Sequence, residues 1–173
     1  DTMFAVREVL AELLAKSGRS DAVRALVEAA MTGSRDLQME CLRQLEKHGH
    51  AGAVVGQFLP HLQSERNQLV RRAGYALGVL GGDEVVLPLI RALRTTHTFL
   101  VGGAGDGRIN LRNGGLSAGQ TKPKKVTQAK SNREVRSALV KLTGADFEYD
   151  EQQWLRWYAR RATPPNLDLR RDE

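Results

Sequence analysis

The residues of this chain that could do chemistry are few. There are four histidines, His48, His50, His61 and His97, and one cysteine, Cys41. The stretch HGH, His48 to His50, offers two metal ligands, but zinc needs three or four that converge. His61 stands about 16 Å further on if a helix rising 1.5 Å per residue follows. A solvated turn between helices is the better reading of HGH. The stretch DFEYDE places Asp146, Glu148 and Asp150 at positions 1, 3 and 5, as a calcium loop of the EF-hand type begins. Such a loop needs glycine at position 6 and glutamate at position 12, where this chain has Glu151 and Trp157. Acids drawn to the start of a helix by its dipole explain the cluster better. GGAGDG, Gly102 to Gly107, lacks both GxxxxGK[ST] and GxGxxG, and no helix follows to hold a phosphate. Its glycines are read as turn residues. Cys41, inside LQMECLRQL, is read as a small buried hydrophobe, since no local signature for a nucleophilic cysteine accompanies it. The expectation is a protein that is not an enzyme, with no catalytic, cofactor-binding or metal-binding residues.

What remains is charge. The 173 residues carry a net charge of +6. Between His97 and Lys130 lie Arg108, Arg112, Lys122, Lys124, Lys125 and Lys130, against one acid, Asp106. The rest of the chain is close to neutral, with 20 basic and 19 acidic residues. A local excess of this kind points to one adhesive element rather than to a basic protein body. Those six basic residues are the candidate partner-binding residues. The same segment holds two alternating stretches, THTFLVGG and GRINLRNGG, which read as the strands of a β-hairpin. Leu116 to Lys130 reads as a mobile basic loop.

The elements that carry this segment are helical and repetitive. Val70, Ala73, Leu77 and Leu80 form an apolar stripe at helical spacing, Gly81 and Gly82 stop it, and Val86, Leu89, Ile90 and Leu93 form a second. The same helix–turn–helix design starts at Val6 and at Leu37, so the period is 31 to 33 residues. Ser20 is placed as the cap of a second helix, and Pro60 should kink or shorten its own. A further unit opens at SNREVRSALVKLTG, where Val135, Arg136, Ala138 and Leu142 align with Val70, Arg71, Ala73 and Leu77 at an offset of 65. Ser131 and Glu134 are spaced as a capping box. The basic segment is therefore an insert between the third and fourth helix pairs. In the last helix Asp150 is the expected N-cap with Gln153 at N3, and Tyr149 and Trp154 are spaced as a hydrophobic staple. Trp154, Trp157, Tyr158 and Arg161 share one face, which suits a terminal cap.

Val70, Arg71, Ala76, Leu77, Gly78, Leu80, Gly81, Asp83, Val86, Pro88, Leu89 and Leu93 resemble the VRxxAxxALGxLG and VxPLxxAL pattern of short bacterial HEAT repeats. The LTG–aromatic–aspartate–tryptophan ending is similar to HEAT-repeat proteins of planctomycete-like bacteria. The resemblance covers residues 3–95 and resumes at 131. It implies an all-α fold, an α-solenoid of about four HEAT-like helix pairs interrupted by the hairpin and the basic glycine-rich loop. The whole chain, 1–173, is expected as one domain, with the insert at 97–130 and a polar tail at 163–173. The wide apolar band of the first helix, Phe4, Val6, Val9, Leu10, Leu13 and Leu14, leads us to expect further repeats or another domain upstream.

The resemblance implies a non-catalytic protein-interaction module, a scaffold with a protein partner. The alternatives are nucleic-acid binding through the basic insert, or a domain of a larger enzyme. One family of DNA glycosylases is built from HEAT-like repeats, but its catalytic residues have no match here. No apolar run is long enough to span a bilayer.

Overall fold

The computed structural model describes residues 2–101 and 124–162. Within them the chain is mostly helical, with one small antiparallel sheet. α1 (Thr2–Ser17) and α2 (Ser20–Thr32) form a first pair. α3 (Arg35–Lys47) and α4 (Ala51–Phe58) form a second, prolonged by a 3-10 turn over Leu59–Gln63. α5 (Asn67–Leu80) and α6 (Val86–Arg91) follow, then β1 (Arg94–Val101), β2 (Lys124–Ser131), α7 (Arg133–Thr143) and α8 (Glu151–Ala162). Local chemistry sets these limits. Gly18, Gly49 and Gly144 adopt left-handed φ of 64°, 75° and 72° just past helix ends, a conformation cheap only for glycine. Ser34 caps α3 by accepting from the Leu37 amide at 3.2 Å. Pro60 falls in the 3-10 turn, where the α-helix has already ended. No helix among the described residues is long and apolar enough to cross a membrane.

Most helices two apart in the chain pack on one another. α1 packs on α3, α3 on α5, and α5 on α7, while α2 packs on α4 and α6 on α8. The core runs through them as one continuous cluster that includes Leu26, Leu45, Phe58, Leu77, Ile90 and Leu139. Each large aliphatic side chain so buried contributes about 1.5–3 kcal/mol relative to exposure. The closest seam is α5 on α7. A β-carbon added at Gly74 would sit 2.6 Å from Val135 Cγ2, and one at Gly78 would sit 2.7 Å from Ala138 Cβ. The two glycines thus let the helix backbones approach closely.

β1 and β2 pair antiparallel from Arg94 opposite Ser131 to Val101 opposite Lys124. The hairpin expected from sequence is present, but its returning strand is Lys124–Ser131, inside the stretch read as a mobile loop. The expected second strand, GRINLRNGG, lies outside the described residues, as does the polar tail at 163–173. Two caps also differ from expectation. Ser131 ends β2 and the N-cap of α7 is Asn132, so no capping box forms. Ser20 is already inside α2, whose N-cap is Arg19. The Asp150 cap is formed, with Oδ1 accepting from the Gln153 amide at 3.0 Å.

Candidate functional site

Of the six basic candidates, Arg108, Arg112 and Lys122 lie outside the described residues. Lys124, Lys125 and Lys130 all belong to β2, which carries no acid. Strand geometry does not gather them into one patch. Lys125 and Lys130 are five residues apart, so they fall on opposite faces of the ribbon. Lys125 is exposed and Lys130 half-buried.

The base of this ribbon is locked to the helices by a buried polar network. His97 and Asn132 are both buried. The Glu65 carbonyl lies 2.7 Å from His97 Nδ1 and can only accept, so Nδ1 carries a hydrogen. Nε2 faces the Thr95 hydroxyl at 2.6 Å and the Asn67 amide at 3.3 Å. The Asn132 amide donates to the Ala92 carbonyl at 2.8 Å and to Thr95 Oγ1 at 2.9 Å. Its carbonyl accepts from Asn67 Nδ2 at 2.6 Å. Asn67 is the first residue of α5, so the hairpin and the third helix pair are held as one unit. From sequence His97 is one of four histidines and marks the edge of the insert; its partners Glu65, Asn67 and Thr95 are not apparent there.

The other chemistry-bearing residues are placed in structural roles. His50 Nε2 lies 2.7 Å from the Ala15 carbonyl, tying α1 to the start of α4. Cys41 is buried, and burial, aided by the charge of Glu40, pushes its thiol up to about 11. Such a thiol is a poor nucleophile at neutral pH. Asp146 takes a two-pronged bond from Arg136, at 3.0 and 2.6 Å. That guanidinium holds the Asp146 carboxyl below the usual range. Asp150 is likewise held low, by the Gln153 amide it caps. Among the described residues no three of His, Cys, Asp and Glu converge as metal ligands do. Trp154 is fully buried, with Phe147 edge-on at 5.0 Å and Trp157 at 6.0 Å. Phe147 supplies a ring against Trp154, and Tyr149, packed against the same core, lies under Arg136 at 5.5 Å.

Two surfaces stand out. Val6, Val9, Leu10 and Leu13 are 54% to 59% exposed on one face of α1. Their spacing by three and four makes that face a continuous aliphatic stripe. Toward the core α1 turns the buried Ala11 and Ala15 and the half-buried Leu14. A second feature is an open groove of about 630 Å3 along the 3-10 turn and α6, lined by Leu59, Pro60, Leu87, Pro88 and Arg91 among others. Sequence reasoning found the apolar band of α1 but not the groove, whose walls come from helices about thirty residues apart. Compared with known protein families, curated proteins and solved structures, the chain has no match in any of the three.

Proposed function

We propose that the stacked pairs form a HEAT-like α-solenoid and that the protein is a non-catalytic interaction module for a protein partner. The observation that carries this reading is the exposed aliphatic stripe of α1. Contiguous exposed apolar surface on a folded domain marks a site for another macromolecule. The order of packing, first helix on first helix, supports the solenoid. The groove beside α6 extends the surface offered to a partner. The test is capture of binding proteins by the parent chain and by a Leu10→Lys/Leu13→Lys variant. Partners should be lost with the variant while its melting temperature stays near the parent's; equal capture by both would refute the assignment.

One observation favours a second reading, nucleic-acid binding. The paired ribbon presents a strand with three lysines and no acid. If the ribbon grips phosphates, replacing the six basic residues by glutamine should flatten the salt dependence of duplex binding. The log–log slope should fall by about 0.9 for each phosphate contact removed. An unchanged slope would exclude the ribbon as the contact.

A further inference from the structure

The N-terminal parts of α3, α5 and α7 border a small open pocket of about 180 Å3, lined by Arg35, Gln38, Gln68, Arg71, Arg72 and Glu134. Three arginines and one glutamate thus line it. Arg71 is answered: its Nε donates to Glu134 at 2.8 Å, and a second bond runs from Nη2. Arg72 is answered only in part. Its Nε and Nη2 donate to the Ala30 carbonyl near the end of α2, at 3.1 and 2.7 Å, Nη2 also reaches the Ser34 carbonyl at 3.4 Å, and Nη1 takes no part in these contacts. Arg35 lies over the Tyr75 ring at 4.7 Å. Among the described residues neither Arg35 nor Arg72 has a carboxylate within ion-pair distance. Burial and the nearby charge of Arg35 both disfavour the charged form of Arg72.

The backbone adds to this excess. The N-caps of α5 and α7, Arg66 and Asn132, supply no side-chain cap. Asn132 spends its side chain on the hairpin network. The start of α5 is left without a side-chain cap, whereas at α7 Glu134 in the first turn already answers the helix dipole. An anion entering the pocket would meet three arginines against a single glutamate.

We propose that this pocket binds a single oxyanion group, a carboxylate or a phosphoryl, through Arg35 and Arg72. The small volume suits a small anion, and Glu134 on one wall disfavours a run of phosphates. Planar guanidinium donors suit both chemistries. Anion binding here does not require the α1 stripe, so the two assignments can fail separately.

The test uses the full chain labelled with 15N. Arginine Nε–Hε resonances are followed during titration with sodium phosphate and, separately, sodium acetate, each against sodium chloride at matched ionic strength. Arg35 and Arg72 should shift saturably with an oxyanion and not with chloride. Whichever of phosphate and acetate saturates at lower concentration identifies the group preferred. Arg35→Gln should weaken the preferred anion about tenfold, as expected for one lost charge-assisted partner. Gln68→Glu should abolish the response, and Lys141→Gln, exposed near the far end of α7, should leave it intact. Both pocket variants change residues exposed at the surface, so their folding is checked by melting. Shifts no larger than those in chloride, or an Arg35→Gln titration like the parent's, would overturn the assignment.

Discussion

The two ends of the helix array are built in opposite ways. At the end formed by α7 and α8, the large side chains point inward. Trp154 is fully buried, its indole nitrogen donates to the Glu148 carbonyl at 3.1 Å, and Phe147 and Trp157 pack around it. The outer face of α8 is polar, and Arg161 reaches across to Asp83 at 2.9 Å. At the α1 end the arrangement is inverted. Ala11, Ala15 and the half-buried Leu14 face inward, while Val6, Val9, Leu10 and Leu13 face out. The seam between α1 and α3 relies on exposed ion pairs, Arg43 with Glu8 at 3.0 Å and Lys47 with Glu12 at 2.9 Å. Exposed pairs of this sort contribute about 0–1 kcal/mol each. Beneath them, Gln44 Oε1 and His48 Nε2 are buried without a hydrogen-bond partner among the described residues. One end is closed by its own aromatics; the other presents apolar surface.

The largest effect should come from opening the closed end. Trp154→Ala should cost about 3–5 kcal/mol, read from urea unfolding. A loss under about 1 kcal/mol would show that α8 is not held by this ring. In the parent, tryptophan fluorescence should be blue-shifted and poorly quenched by iodide. In the middle of the array, Leu77→Ala should cost about 2–5 kcal/mol. Gly78→Ala should come next, at about 1–3 kcal/mol, because the new methyl meets Ala138 and the helices must part. Near-parent unfolding of Gly78→Ala would contradict the close approach of α5 and α7.

A smaller effect concerns acid. Arg71 beside Glu134 lowers the pKa of its carboxyl. A carboxyl whose pKa is depressed on folding adds stability above its unfolded pKa, and that stability is lost as pH falls through the folded value. Glu134→Gln should therefore lower stability modestly at pH 7 and narrow the gap to the parent as pH drops below about 4, the unfolded range for glutamate. A constant gap between pH 7 and 3 would mean that the pair contributes nothing through charge.

Much of this was legible because it is local. Apolar stripes, glycine stops, the Asp150 cap and the inward-facing Trp154 depend on residues within a few positions of each other. β2 was not legible, because Lys125 to Ala129 are all exposed and so show no apolar alternation. Its pairing with β1 is set by partners about thirty residues away, which no local pattern encodes. The same holds for Asn67, His97 and Asn132, and for Arg71 with Glu134. One signal was present: Arg71 and Arg136 occupy equivalent repeat positions, and each holds a carboxylate, Glu134 and Asp146 respectively. The open pocket at Arg35 and Arg72 needs three helix starts side by side and has no trace in the sequence.

The central claim is that the stripe on α1 serves binding and not folding. The measurement that tests it most directly is the urea-unfolding free energy of Leu10→Lys/Leu13→Lys against the parent. Two large aliphatics replaced by lysine would cost several kcal/mol in a core, but at exposed sites each change should stay within about 0.5 kcal/mol. A difference of about 1 kcal/mol or less supports the claim. A loss comparable to that of Trp154→Ala would mean that these side chains are part of the fold, and the contrast between the two ends would be wrong.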